Sequence, residues 1–183
     1  MFTFTSEIEL ETIIEDALYA ILWEGELHNS LDKMAISYTD AAFLHQYFHE
    51  NVEKLTYYKN PSYTPSDAAM RTQREAIALI QELKDLASDS LAGNSNSLDD
   101  LFEPLHAIDV YSHPRYYTDV KAKGYPDEAP WFRMYAVKCD DDLYVITGFG
   151  LKLVRDMRDD PDLVIELQKL EIATDYLRSI GMV

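Results

Sequence analysis

Apolar and polar positions alternate most clearly over residues 131–157, WFRMYAVKCDDDLYVITGFGLKLVRDM. Two runs rich in aromatic and β-branched residues, 131–139 and 143–149, flank a polar Asp140-Asp141-Asp142 tip, which predicts a β-hairpin. Side chains alternate across a strand. Arg133, Tyr135 and Val137 are therefore expected on one face, with Phe132, Met134 and Ala136 on the other. A period of two also runs through Ile8, Leu10, Thr12 and Ile14 against Glu7, Glu9 and Glu11. With Glu15-Asp16 as the turn and Tyr19, Ile21 and Trp23 beyond it, a second hairpin is predicted, although Leu10, Ile14, Leu18 and Ile21 also meet a helical spacing.

Between the hairpins the pattern changes to helical. A short helix is expected around residues 29–36. A firmer one follows over 40–57, with Thr39 as N-cap and Leu44, Phe48, Val52 and Leu55 on one face. Asn60-Pro61-Ser62-Tyr63 reads as a loop. Thr64-Pro65 then opens a long helix reaching about Leu91, with Ile77, Ile80, Leu83 and Ala87 inward and Leu79 and Leu86 widening the stripe. Gly93-Asn94-Ser95-Asn96 is a linker candidate. Ser97 caps a short helix over 98–104, and residues 107–130 form a long connection without clear periodicity. Asp160 and Pro161 start the last helix, with Leu163, Leu167, Leu170, Leu177 and Ile180 inward and Gly181 as its stop. The sum is an α+β fold: an antiparallel sheet with helices packed on one side and a large helical N-terminal half. Residues 1–96 hold the N-terminal hairpin and helical region, residues 97–183 the sheet and C-terminal helix, the two forming one compact unit.

Composition adds limits. Forty-seven per cent of the 183 residues are hydrophobic, enough for a core without disulfide or metal staples. The single cysteine, Cys139, cannot close an internal disulfide, which fits a reducing compartment. No run approaches the roughly 18 apolar residues of a membrane span, and the first residues lack the basic segment of a secretory signal. A soluble, cytoplasmic protein with no membrane association is expected. The charge says more: 16 Lys+Arg against 33 Asp+Glu gives −17, a field that repels polyanions. Residues 1–96 carry −10 and residues 97–183 carry −7, so neither half is basic.

Most candidate constellations have structural explanations. His45-x-x-x-His49 with Glu53 lies on one helix edge at metal-ligand spacing, but no second ligand cluster accompanies it, and no metal or other cofactor is expected. Asp99-Asp100, Asp140–Asp142 and Asp159-Asp160 sit at turns or helix starts, where acids are favoured anyway. Gly148-Phe149-Gly150 lacks the third glycine and the βαβ context of a dinucleotide site. Its glycines fit an unusual backbone angle or a close approach instead. One segment departs from the acidic background. Residues 111–138 hold Arg115, Lys121, Lys123, Arg133 and Lys138 against three acids. They interleave Tyr111, Tyr116, Tyr117, Tyr125, Trp131 and Tyr135 with those cations. Phosphate pairing and base stacking by RNA need that mixture; a tyrosine-rich loop packed on the sheet needs it equally.

Phe132-Arg133-Met134-Tyr135 followed by Leu143-Tyr144-Val145-Ile146-Thr147-Gly148-Phe149-Gly150-Leu151-Lys152 resembles the core strands of RelE/HigB-type toxins, and Leu101-Phe102-Glu103-Pro104-Leu105 is similar to the segment leading into their sheet. The likeness covers residues 98–157. The whole chain also resembles a group of bacterial proteins that carry this part behind a helical N-terminal half. The resemblance implies a RelE-like sheet and a toxin that cuts messenger RNA on the ribosome without a metal. The partner it implies is a co-encoded antitoxin or helix-turn-helix regulator. It would make Arg133 the phosphate clamp, Lys152 a second cation and Tyr135 a stacking or proton-transfer group, with Lys121, Lys123 and Tyr125 binding substrate. The net charge supports a second function from another class: a non-catalytic protein-binding module on the same scaffold.

Overall fold

The two hairpins read from alternation frame the sheet of this protein, whose computed structural model describes residues 8–57, 63–105, 119–123 and 130–183. β1 (Glu9–Ile14) and β2 (Leu18–Leu22) turn at Glu15-Asp16, where Asp16 takes a φ of 63°. β5 (Phe132–Asp140) and β6 (Leu143–Leu151) turn at Asp141-Asp142, with Asp142 at φ 55°. Asp tolerates that left-handed backbone better than most residues. β3 (Glu103–Pro104) and β4 (Asp119–Lys123) complete a six-stranded sheet, among the described residues, in the order β1-β2-β6-β5-β4-β3.

The sheet is mixed, which corrects the expectation of antiparallel pairing throughout. β2 runs parallel to β6, Leu18 opposite Tyr144 and Ala20 opposite Ile146. Parallel neighbours need a crossover, and here it comprises the whole chain between the two hairpins. A second correction concerns the helices, which cover both faces. Phe132, Met134, Ala136, Tyr144 and Ile146 pack with residues of the front-half helices, while Tyr135, Val137 and Val145 pack with the last helix. Both faces of β5 are apolar, and Phe132 through Val137 are all buried. A strand of that kind needs cover on each side.

On the first face lie α1 (Ser30–Thr39), α2 (Ala41–Glu50), the short α3 (Val52–Tyr57) and α4 (Pro65–Leu91). Asp40, not Thr39, caps α2, accepting from the amides of Ala42 and Phe43. Thr39 ends α1 and donates its hydroxyl to Ala35 O. The single helix expected over 40–57 breaks at Asn51, whose side chain donates to Tyr47 O. Thr64 and Asp67 form a capping box at the start of α4, with Pro65 in the first turn. The buried stripe of α4 is rotated from the one expected: Thr72, Glu75, Ala76, Leu79, Leu83 and Leu86 face inward, and Ile77 is 50% exposed.

Ser97 caps a single 3-10 turn, Leu98–Asp100, before β3, so the helix expected over 98–104 is shorter. On the second face α5 (Pro161–Ser179) starts at Asp160 as read from sequence, and Thr174 ties it to Asp119 of β4 by a 2.9 Å hydrogen bond. Among the described residues, no helix is long and apolar enough to cross a membrane.

Candidate functional site

Four of the nominated side chains share one patch of sheet. Lys123 lies opposite Arg133 and Arg133 opposite Gly150; Lys121 lies opposite Tyr135 and Tyr135 opposite Gly148. Cross-strand partners share a face, and this face is the one that meets α5. Tyr135 is fully buried, with its hydroxyl 3.7 Å from Met157 Sδ. Arg133, 9% exposed, donates from Nη1 to the carbonyls of Pro130 at 2.7 Å and Phe132 at 2.8 Å. Lys121 is 3% exposed and lies 3.9 Å from Glu103 Oε1, the oxygen that Lys123 reaches at 2.6 Å. Lys152 stands just past β6, half-buried, its amide bonded to Trp131 O, and its charge acts on Asp156. Tyr125 falls outside the described residues, as do Tyr111, Arg115, Tyr116, Tyr117 and the loop residues Asn60, Pro61 and Ser62. The structure thus brings Arg133, Tyr135, Lys121 and Lys123 together on one face of the sheet, the first three buried and Lys123 exposed.

A bulge organises the other end of that face. Tyr135 pairs with Gly148 and Ala136 with Ile146, leaving Thr147 as an extra residue on β6. The extra residue shifts the alternation by one. Tyr144 and Ile146 face the front-half helices, yet Gly148 and Gly150 both abut α5. The displaced Thr147 carbonyl accepts from Trp23 Nε1 at 3.0 Å and Ser30 Oγ at 2.9 Å. A Cβ on Gly148 would lie 1.7 Å from Glu166 Oε2, and one on Gly150 would lie 2.7 Å from Leu163 Cδ2. Close approach, anticipated from the Gly-x-Gly spacing, is what these glycines permit.

Glu166 uses the approach. Its Oε2 accepts the Phe149 amide at 3.1 Å and its Oε1 accepts Lys169 Nζ at 2.9 Å. Burial raises the Glu166 carboxyl above the ordinary range, and Lys169 and the amide offset only part of that. Beside it a cavity of about 180 Å³ lies between α1, α2, β6 and the start of α5. Tyr38, Tyr47 and Phe149 line its apolar side; Lys33, Lys169 and Asp162 line its polar side. The Tyr38 ring sits 5.0 Å from those of Phe132 and Phe149. Burial, with Tyr47, Glu166 and Asp162 nearby, holds its phenol well above the usual value. Lys54 of α3 reaches Asp160 at 3.1 Å and Asp162 at 3.4 Å. Sequence reasoning missed this site. Its signal was Glu166 itself, an acid within the Leu163–Leu170 stripe of an otherwise apolar helix face.

A second buried carboxylate lies across the sheet. Glu75 of α4 accepts the amides of Trp131 at 3.1 Å and Phe132 at 2.9 Å, and Arg71 Nε at 2.8 Å. Arg71 in turn lies 4.3 Å from the Trp131 ring centroid, and Thr72 accepts the indole N–H at 2.7 Å. This network clamps the start of the hairpin.

The remaining candidates lie apart from these two carboxylates. His45 and His49 are exposed, with rings 6.1 Å apart. Asp99 bonds Lys138 and the Tyr144 hydroxyl, each at 2.6 Å. Burial alone would raise its pKa; those two donors outweigh burial and lower it. Burial, with Asp140 beside it, pushes the Cys139 thiol up to about 12, which makes it a poor nucleophile. Comparison of the chain with protein-family models, with curated proteins and with solved structures finds no match in any of the three.

Proposed function

We propose that this chain is a non-catalytic protein-binding module whose acidic surface takes a partner with a basic face. The observation that carries the reading is the burial of Arg133, Tyr135 and Lys121, with Tyr135 packed against α5. A phosphate clamp works through donors aimed at an open position where charge develops. Here the Arg133 guanidinium already donates to two backbone carbonyls, and reaching a phosphate would mean breaking those bonds. The net charge of −17 acts in the same direction, repelling RNA and drawing cationic surfaces. The front-half helices supply apolar contacts for such a partner, with Ile36, Phe43, Val52, Met70 and Ile77 exposed.

The test runs in a bacterium expressing the wild type, Arg133→Ala and Lys152→Ala. All three are expected to leave growth and messenger RNA intact. The wild type is also expected to purify with a stoichiometric protein partner whose retention falls with added salt and on Phe43→Asp or Ile77→Asp. Cleavage of messenger RNA by the wild type, lost in Arg133→Ala, would establish instead the toxin activity that the RelE/HigB resemblance implies.

A further inference from the structure

The cavity beside Glu166 has an imbalance of hydrogen-bonding capacity that partner binding does not explain. Its carboxylates are largely spoken for. Both oxygens of Glu166 are engaged, by Lys169 and the Phe149 amide. Both oxygens of Asp160 are engaged, by Lys54 and the Asp162 amide. Its donors are not. An ammonium group carries three N–H donors. Lys33 spends one on Glu26, and Lys169 spends one on Glu166 while its ammonium sits 5.9 Å from the Trp23 ring centroid. The Tyr38 hydroxyl has no hydrogen-bond partner among the described residues, although burial and nearby acids keep it protonated and able to donate. Unused donors converging on a cavity call for an acceptor, and two of the three are cationic.

The opposite wall defines the rest of the ligand. Tyr38, Tyr47 and Phe149 present ring faces and edges, which suit an aromatic or aliphatic body. At about 180 Å³ the space falls short of the roughly 300–1,000 Å³ typical of sites for drug-sized molecules. A metabolite-sized ligand fits better. The cavity also adjoins the N-terminal end of α5, where the helix dipole favours negative charge. The lining sets Lys33 and Lys169 against Asp160, Asp162 and Glu166, so an anion would be held here by the unspent N–H and O–H donors rather than by a net positive charge.

We infer that this cavity is a binding site for a small organic monocarboxylate with an aromatic or apolar body, its carboxylate held by Lys33, Lys169 and the Tyr38 hydroxyl. The side chains of Lys33 and Asp162, 39% and 70% exposed, flank the entrance. Glu166 positions Lys169 and does not itself contact the ligand.

Isothermal titration of the full chain with benzoate, phenylacetate and hexanoate tests the inference, with benzamide, benzylamine and inorganic phosphate as counterparts. Saturable binding of at least one carboxylate is expected, with no binding of the amide, the amine or phosphate. Tyr38→Phe keeps the ring and removes the hydroxyl, and Lys33→Gln changes a side chain at the entrance. Each is expected to weaken the carboxylate about tenfold, with the circular dichroism spectrum unchanged. Failure of all three carboxylates to bind, preference for benzylamine or phosphate, or unchanged affinity in both variants would each overturn the assignment. None of these outcomes bears on whether a protein partner binds.

Discussion

The two faces of the sheet each carry an inward glutamate, Glu75 fully buried and Glu166 with its side chain 12% exposed, and the pair differ in what surrounds them. Glu75 descends from α4 and accepts two consecutive backbone amides plus a guanidinium, at 0% exposure. Glu166 descends from α5, accepts one amide and one ammonium, and borders a cavity. A buried charge is tolerated when each lone pair finds a donor. Glu75 meets that condition as a clamp on Trp131 and Phe132. Glu166 meets it less fully, and its raised pKa records the shortfall. One face of the hairpin is therefore locked, and the other holds a charge that remains responsive to what enters beside it.

Removing each carboxylate is the most forceful way to break that contrast. Glu75→Ala leaves the Arg71 charge and two buried amides without their acceptor, and a loss of about 3–5 kcal/mol is expected. Glu166→Ala removes an amide acceptor but also relieves an unfavourable buried charge, so about 1 kcal/mol or less is expected. Urea unfolding followed by tryptophan fluorescence measures both; equal losses would mean that the two glutamates are equivalent clamps. Gly148→Ala comes next. Its Cβ would meet the Glu166 carboxylate, so a cost of about 1–3 kcal/mol is expected from crowding. The same substitution made in Glu166→Ala should cost much less, because the atoms it strikes are gone. An unchanged cost in the double variant would show that something other than Glu166 requires the glycine.

Local features were legible in the sequence because local residues decide them. Both hairpins, the Thr64-Pro65 and Asp160-Pro161 helix starts and the split of Arg133 and Tyr135 from Phe132 and Met134 follow from alternation and capping alone. What stayed hidden depends on partners far along the chain. Ile77 was expected inside α4, but Thr72 and Glu75 take that position because Trp131 and Phe132, more than 50 residues later, need their oxygens. β4 reads as a loop because Asp119, Lys121 and Lys123 look solvated; Thr174 pairs with the first of these charges and Glu103 with the other two. The same holds for the site. Alternation places Arg133 and Tyr135 on one face correctly, and nothing within the hairpin reveals that α5 covers it. The Thr147 bulge, which turns Gly148 toward Glu166 and Gly150 toward Leu163, leaves no local mark either.

The finest test of the two-faced hairpin is the sign of its pH dependence. Glu166 has a raised pKa in the folded chain. An acid of that kind contributes stability that is fully present below its unfolded value of about 4.3 and is lost as pH rises through the folded value. Asp99, whose pKa is lowered by Lys138 and Tyr144 at the hairpin tip, contributes stability present above about pH 3.9 and lost as pH falls through its folded value. Asp99 is 39% exposed, so its contribution is discounted for screening to at most about 1 kcal/mol. Glu166→Gln should therefore gain on the wild type as pH rises, whereas Asp99→Asn should close its deficit as pH falls. Urea midpoints for the three proteins across this range read both slopes. Parallel slopes in the two variants would place Glu166 among well-solvated acids and remove the basis for treating its face as the responsive one.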